Sequence, residues 1–169
     1  MLKNKIILGV DPGYGRTGFG VIECVGSRLH ALDYGVLETS AKDDFATRLE
    51  FLYQELTKII KKYKPNLIAI EDLFFYKNVT TAIKVGQARG VIVLTAVLSK
   101  TPTVEFTPLQ VKQAISSYGR AGKGQVQQMV KVFLGLKTIP KPDDAADALA
   151  IAICAANSDR LKKIICANK

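Results

Sequence analysis

Residues 5–13 read Lys-Ile-Ile-Leu-Gly-Val-Asp-Pro-Gly, and residues 67–71 read Leu-Ile-Ala-Ile-Glu. Each stretch contains a short apolar run, over 5–10 and 67–70, which is typical of a strand buried on both faces of a sheet. Each run ends directly in a carboxylate, Asp11 in the first and Glu71 in the second. In an open α/β sheet, functional sites form outside the carboxyl ends of the strands. If the two strands are neighbours, Asp11 and Glu71 therefore lie at the same edge.

The segments around these runs alternate between strand and helix patterns. Further strands are predicted over 17–25, 28–39 and 103–106, the first two joined by the turn signal Gly26-Ser27. Apolar periodicity and capping residues predict helices over the remaining segments: 43–63, 78–99, 107 onward, 125–134, and 143 or 144 onward. This order predicts one α/β domain over 1–157, with a mixed sheet, followed by a short basic tail over 158–169.

Two glycines interrupt the helix predicted over 78–99. Gly86 and Gly90 lie about one turn apart on it. Glycine lowers the intrinsic stability of a helix interior, so its presence at both positions predicts a close packing contact on that side of the helix.

The composition excludes several classes of protein. The chain has 169 residues, of which 48% are hydrophobic and 23% charged, so it is not disordered as a whole. No apolar run approaches the ~20 residues of a membrane-spanning helix, and the N-terminal apolar stretch ends too early, at Asp11, to be a signal peptide. The three cysteines lack CxxC spacing, which excludes a disulfide framework or zinc knuckle and favours the cytoplasm.

The net charge of +9 is concentrated in the middle of the chain. Between Leu73 and Pro142 the only acidic residue is Glu105, whereas the basic residues number ten: Lys77, Lys84, Arg89, Lys100, Lys112, Arg120, Lys123, Lys131, Lys137 and Lys141. Such a field indicates a nucleic-acid partner, and solubility alone is the alternative interpretation.

A third acidic group stands at the start of the last predicted helix, where the sequence has Asp143, Asp144 and Asp147. Residues three or four apart share a helix face, so either Asp143 or Asp144 can pair with Asp147, and the spacing does not choose between them. Taken singly, Asp11 could be a turn residue, and Asp143 or Asp144 a helix cap.

Taken together, acids from three distant segments of a basic chain predict a divalent-cation site. Oxygen ligands alone select Mg²⁺ or Mn²⁺ over zinc. Two such ions about 4 Å apart would serve phosphoryl transfer, because one activates water and the other stabilises the leaving oxygen. A metal site of this kind within a cationic protein indicates a nuclease.

The motifs are similar, in order, to those of the RuvC family of Holliday junction resolvases. Ile7-Leu-Gly-Val-Asp-Pro-Gly13 with Thr17-Gly-Phe-Gly-Val21 resembles the family's first motif, and Ala69-Ile-Glu-Asp-Leu-Phe74 with Lys77-Asn78 resembles its second. The resemblance is collinear over residues 5–156 and continues through Gly86-Gln-Ala-Arg-Gly90, Val111-Lys-Gln113, residues 123–129 and Asp144-Ala-Ala-Asp-Ala-Leu-Ala-Ile-Ala152.

This resemblance implies an RNase H-like fold, with a five-stranded mixed sheet and helices on both faces, and a homodimer. It implies that the metal ligands are Asp11, Glu71, Asp144 and Asp147, holding two Mg²⁺ per active site, with Mn²⁺ as a substitute. Asp143 is then left as a helix cap. Some members carry histidine at the position of Asp147, whose role is therefore the least fixed of the four.

The resemblance also implies how DNA is bound and cut. Lys112 and Lys123 are expected to face the scissile phosphates, and Phe74 to enter the junction near the exchange point. The other residues assigned to DNA binding are Lys77, Asn78, Lys84, Arg89 and Arg120. The implied activity is resolution of four-way DNA junctions by paired symmetric nicks, during homologous recombination and DNA repair, together with the RuvA and RuvB branch-migration proteins.

Two functions from other classes compete with this interpretation. A sugar-kinase or actin-like ATPase also begins with Asp-x-Gly after a first strand, but such proteins need two domains of this kind, and this chain has the length of one. A junction-binding module without catalysis would need only the basic residues, because phosphate contacts dominate affinity for DNA. In such a module the four carboxylates would repel DNA without benefit.

Overall fold

The strand formed by the first quoted run lies at the centre of the sheet. The computed structural model describes residues 4–72, 79–116 and 122–158. Its elements are, in chain order, β1 (Lys5–Asp11), β2 (Arg16–Val25), β3 (Arg28–Glu38), α1 (Phe45–Tyr63), β4 (Leu67–Glu71), α2 (Val79–Leu98), β5 (Thr103–Phe106), α3 (Pro108–Ser116), α4 (Lys123–Phe133) and α5 (Asp143–Asn157). The strands are ordered β3-β2-β1-β4-β5.

The sheet is mixed, as the sequence predicts. Strand β1 pairs antiparallel with β2 and parallel with β4, β2 continues antiparallel into β3, and β4 pairs parallel with β5. Helices on both faces bury β1 completely at Ile7, Leu8 and Val10. Because β1 and β4 run in the same direction, their carboxyl ends meet at one edge of the sheet.

Two hydrophobic cores lie on opposite faces of the sheet. Helices α1 and α2 pack over one face, where the core includes Leu8, Val10 and Ile68. Helices α3, α4 and α5 pack over the other face, where Ile7, Leu67 and Ala69 belong to the core. Neighbouring residues along β1 and β4 thus point into different cores, which explains why both strands are uninterrupted apolar runs. The prediction of helices on both faces is confirmed.

Helix α5 lies against β1 and β2 with almost no space between the backbones. A Cβ atom added at Gly9 would fall 2.1 Å from the carbonyl oxygen of Ala148, and one added at Gly18 would fall 2.1 Å from that of Asp144. No side chain larger than hydrogen fits at either position. The buried residues of α5 are mostly alanines, which allows the same close approach from the helix side.

Two helix starts differ from the predictions by two residues, and one predicted helix cap is wrong. Helix α1 begins at Phe45 rather than residue 43, because the Asp44 side chain caps it by accepting from the Thr47 amide. Helix α4 begins at Lys123 rather than residue 125. The prediction that Asp143 caps α5 is wrong: Pro142 occupies the N-cap position and Asp143 is the first helical residue.

Helix α2 has two apolar faces. Residues Thr81–Leu98 are long and apolar enough, by length and composition alone, to cross a membrane. One face is buried in the core through Ala88, Ile92 and Ala96. The other exposes more than half of each of four apolar residues, Ile83, Leu94, Val97 and Leu98. Core packing on one side and an uncovered apolar face on the other account for the composition of this helix.

The glycines of α2 make no close contact within the described chain. A Cβ atom added at Gly86 or Gly90 would meet no atom within 4 Å. The close packing contact predicted for these glycines is therefore not made by the described part of the chain itself. The predicted tail over 158–169 follows the end of α5 and, after Ser158, lies outside the described residues.

We expect Gly18→Ala to destabilise the fold, because the added methyl group collides with the α5 backbone at Asp144. Overpacking of this kind costs about 1–3 kcal/mol, which a lower Tm or denaturation midpoint would reveal. Gly124→Ala is the matched control, because a Cβ atom there meets open space. Equal stability of Gly18→Ala and the parent would contradict the close approach of α5.

Candidate active site

The carboxyl ends of β1 and β4 bring Asp11 and Glu71 to the same edge of the sheet. The parallel register pairs Val10 with Ile70, so the next residue of each strand is one of these carboxylates. Hydrogen bonds to its backbone carbonyls, from Thr17, Thr39 and Arg48, hold the loop after Asp11 in place. Thr17 Oγ1 donates to the Gly13 carbonyl at 2.6 Å, and Arg48 Nη2 donates to the Tyr14 carbonyl at 3.1 Å.

Helix α5 adds Asp144 and Asp147 to this edge. Both lie in the first turns of α5, and the Asp144 backbone rests on Gly18, the β2 residue that pairs with Asp11. Burial raises the pKa of Asp11 to about 8, and the charges of Glu71, Asp147 and Asp144 add to the effect. The structure therefore brings together the four carboxylates that the sequence singles out.

Glu71 and Asp147 of this group also resist ionisation. Burial raises the pKa of Glu71 to about 7, the charge of Asp147 adds to it, and Lys112 opposes it. Burial also raises the pKa of Asp147, against the opposing charge of Lys123. Carboxylates that are both buried and close together favour a protonated form or a bound cation.

Two lysines face this acidic group. Lys123 Nζ lies 3.3 Å from Asp147 Oδ2 and 3.5 Å from Asp143 Oδ2. Burial is the largest single effect on Lys123 and works against its charged form, but the charges and hydrogen bonds of Asp147 and Asp143 together outweigh it and raise the pKa of the ammonium. Lys112 and Lys123 line, together with Glu71 and Asp147, a cleft of about 190 Å³ between α3, α4 and α5. The lysines predicted to face the scissile phosphates thus stand beside the carboxylates.

Arg16 is a cation of the site that the sequence analysis missed. Its Nε lies 3.6 Å from Asp144 Oδ2 and 3.9 Å from Glu38 Oε1, and its side chain is half exposed. The available signal was its place in the β1–β2 hairpin. Arg16 stands two residues before Gly18, the antiparallel partner of Asp11, and so returns to the same edge.

Two of the predicted DNA-binding residues interact within the chain. Lys84 Nζ lies over the Tyr14 ring, 5.6 Å from its centroid. Arg89 Nη2 lies 2.6 Å from Glu105 Oε2 and 3.8 Å from Asp72 Oδ1, which joins α2 to the ends of β4 and β5. Four other predicted residues lie outside the described ranges: Phe74, Lys77, Asn78 and Arg120.

The donor set suits a hard divalent cation. All four side chains that converge here supply carboxylate oxygens, which Mg²⁺ and Mn²⁺ prefer. Over residues 4–72, 79–116 and 122–158, no three acidic, histidine or cysteine side chains already surround one ion position. Lys123 contacts Asp147, and Arg16 contacts Asp144. Ion binding therefore requires these side chains to turn, which replaces ammonium and guanidinium contacts by metal contacts.

The arrangement matches a known nuclease family over most of the chain. The model of the family described as crossover junction endodeoxyribonuclease RuvC matches residues 7–155. The chain belongs to the RuvC family. A crossover junction endodeoxyribonuclease RuvC of Ruminiclostridium cellulolyticum is 53% identical over 160 residues, which cover 95% of this chain and 96% of that protein. A RuvC of Heliobacterium modesticaldum is 55% identical over 153 residues, covering 90% and 94%.

Solved structures give the same family. A structure of Thermus thermophilus RuvC in complex with Holliday junction substrate is similar with a TM-score of 0.89 and 34% identity, covering 94% of this chain and 96% of that one. Thermus thermophilus RuvC in another structure gives a TM-score of 0.85. The predicted RNase H-like fold is thereby confirmed, as is the resemblance to the RuvC family. RuvC-family nucleases depend on divalent metal ions.

We expect Asp11→Asn to raise the Tm of the metal-free protein at pH 8. The ordinary pKa of aspartate is about 3.9, whereas that of Asp11 in the folded chain is about 8. Ionising Asp11 therefore destabilises the fold progressively from about pH 4 to its folded pKa. Asparagine removes this effect, so the gain in Tm should be largest above pH 8 and should vanish below about pH 4.

Asp143→Asn is the control for this pH dependence. The neighbouring Gln127 amide, followed by the charges of Lys123 and Lys141, lowers the pKa of Asp143. The ionised form is therefore the stabilising one, and its contribution is present above the ordinary pKa and lost as the pH falls. Asp143→Asn should not raise the Tm at pH 8. Thermal melts of both variants across this range provide the measurement, and a pH-independent gain in Asp11→Asn would contradict the raised pKa.

Proposed function

We propose that this chain resolves Holliday junctions by paired symmetric nicks, in homologous recombination and DNA repair. The observation that carries the proposal is the group of four carboxylates, Asp11, Glu71, Asp144 and Asp147, with two lysines beside it. The similarity to a RuvC solved with Holliday junction substrate supports the choice of DNA structure. The reaction is phosphodiester hydrolysis leaving 5′-phosphate and 3′-hydroxyl ends.

In this proposal the four carboxylates hold two Mg²⁺ per active site, and Mn²⁺ can substitute. When bound, the ions supply Lewis acidity that activates water and stabilises the leaving oxygen. The chain itself holds the carboxylates in position for the ions and the phosphate. Asp11 and Glu71 are fixed by neighbouring strands, and Asp144 and Asp147 by α5. The raised pKa values of Asp11, Glu71 and Asp147 mean that metal and protons compete for the same oxygens, so metal affinity rises with pH.

The two lysines act on the phosphate. Lys112 and Lys123 line the cleft beside Glu71 and Asp147, where a scissile phosphate would approach. A fixed cation there stabilises the charge that develops on the phosphate oxygens in the transition state. In the free protein Lys123 neutralises Asp147 and Asp143. Binding of a phosphate in the cleft would therefore draw the Lys123 ammonium away from Asp143 and Asp147 and towards the phosphate oxygens.

The functional unit in this proposal is a homodimer formed through α2. Its outer face exposes Ile83, Leu94 and Val97, and Gly86 and Gly90 on α2 leave room for a second backbone. A twofold dimer presents two sites related by symmetry, as a four-way junction requires for paired cuts. Apolar stripes that include small residues allow helices to pack closely.

The remaining expectations follow from the same substrate. Phe74, together with Lys77, Asn78, Lys84 and Arg120, is proposed to contact the opened junction centre and its backbone. RuvA and RuvB are proposed as partners, and the site of action is the cytoplasm, where chromosomal junctions form.

We expect Asp11→Asn, Glu71→Gln, Asp144→Asn and Asp147→Asn each to slow cleavage of a synthetic four-way junction by on the order of a hundredfold or more. Each change keeps the shape of the side chain but removes an anionic oxygen. Junction binding without metal should be retained, because each change removes a negative charge that repels DNA. Asp143→Asn is the matched control on the same helix and should lose far less activity than the other four variants. Cleavage that persists without Mg²⁺, or linear duplex cut as fast as junctions, would contradict the proposal.

We expect Lys112→Ala and Lys123→Ala to slow single-turnover cleavage by on the order of a hundredfold while changing junction affinity little. The lost charge stabilises the transition state, whereas many other phosphate contacts remain for binding. Lys131→Ala, further along α4, serves as control. Weaker binding with an unchanged cleavage rate would show that these lysines contribute only to affinity.

We expect Leu94→Glu to convert the dimer into a monomer, because a charge then stands in the centre of the apolar face of α2. Sedimentation velocity measures the change, and paired nicking should be replaced by single nicks. Val132→Glu is the control, because Val132 is 63% exposed on α4, outside that face. A Leu94→Glu protein with the mass of the parent would place the dimer interface elsewhere.

A further inference from the structure

A second concave surface lies at the opposite ends of the strands from the carboxylates. A cavity of about 550 Å³ opens between the last turns of α1 and α2. Its lining residues are Tyr53, Thr57, Ile60, Lys61, Lys64, Pro65, Thr95, Leu98, Ser99, Lys100 and Thr101. The chain enters β4 and β5 directly after these two helix ends, so the cavity lies at the amino ends of those strands. The catalytic group lies at their carboxyl ends.

Two lysines of this cavity adopt a backbone conformation that is unfavourable for them. Lys64 has φ 47° and Lys100 has φ 53°, and they are the non-glycine residues with positive φ in the part of the chain that the structure describes. Lys64 caps α1, and Lys100 follows the end of α2. Glycine takes this conformation without steric penalty and is the usual residue there. Lysine at both helix ends, beside one cavity, indicates that the side chains serve a purpose other than ending the helices.

The surface of the cavity combines positive charge with apolar contact area. Lys61, Lys64 and Lys100 supply the charge, and none of the described lining residues carries a carboxylate. Tyr53 on α1 is 39% exposed and supplies apolar surface, and Leu98, 60% exposed at the end of α2, lies where the cavity meets the outer face of that helix. The Thr57 hydroxyl is buried there without a hydrogen-bond partner. Such a site suits a ligand that has both anionic groups and an apolar group.

We propose that this cavity binds an acidic segment of a partner protein, with its carboxylates on the lysines and one apolar side chain in the cavity. Duplex DNA fits this site poorly. Its surface is convex, and even its major groove is about 12 Å wide, so only phosphates would reach the rim. The apolar surface of Tyr53 and Leu98 would then stay uncovered. A peptide segment fills both parts of the site.

The position of the cavity leaves it accessible while DNA is cut. Strand β4 has five residues, and at about 3.3 Å per residue the two edges of the sheet lie roughly 16 Å apart. A junction held at the carboxylates therefore approaches from the opposite ends of these strands. The proposed partner binds the nuclease and its DNA complex alike.

The test is to select binders to the intact protein from a random peptide phage library. Only peptides that stay bound in the presence of excess junction DNA are kept, and EDTA is added so that the DNA is not cut. We expect the selected peptides to carry several Asp or Glu residues around an apolar residue. A synthetic fluorescent copy of the dominant peptide is then titrated against the variants. Lys64→Gly with Lys100→Gly should weaken its binding by about tenfold. The Tm should not fall, since glycine accepts the backbone conformation, and junction cleavage should be unchanged.

The matched control is Lys42→Gly with Lys137→Gly, which removes the same charge from exposed loops and should bind the peptide like the parent. Three results would overturn the proposal: selected peptides without acidic residues, equal loss of binding in both double variants, or displacement of every peptide by junction DNA. Monomeric behaviour of Lys64→Gly with Lys100→Gly in sedimentation would assign the cavity to a second copy of this chain instead. None of these readouts depends on the proposed cleavage chemistry.

Discussion

The contact between α5 and the first two strands determines how the acidic edge is built. Gly9 and Gly18 have no side chain, so the helix backbone rests on the strands themselves. The separation between Asp144 and Asp11 is therefore set by two backbones in contact and not by flexible side chains. Precise placement of this kind is what a metal-dependent site requires, because its ligands must reach a common ion.

The same contact explains the electrostatics of the edge. A helix that lies flat on the sheet excludes water from the ends of β1 and β4, and burial is the largest cause of the raised pKa values of Asp11 and Glu71. The chain compensates in part with its own cations, Lys123 at Asp147 and Arg16 at Asp144. The free protein thus keeps an excess of carboxylates at this edge, with cations of its own close by, and groups of both signs are available to bind metal ions and phosphate.

Much of the fold could be predicted because its signals are local. The apolar runs before Asp11 and Glu71 define two central strands, and parallel strands share an edge wherever they are neighbours. The role of Asp143 could not be read from spacing, because the N-cap depends on the backbone of Pro142. Arg89 looks like any other basic residue in the sequence, and only the fold shows that Glu105 and Asp72 face it. Arg16 was missed because its neighbour Asp144 is distant along the chain.

Arg89 connects the outer face of α2 with the end of β4. It directly precedes Gly90, whose Cβ position is open on the outer face of α2. Its guanidinium reaches Asp72, the residue after Glu71. The same guanidinium lies 2.6 Å from Glu105 Oε2 on β5, so one side chain links the outer helix to the ends of two neighbouring strands. A contact made on the outer face of α2 is therefore connected through Arg89 to the residue that follows Glu71.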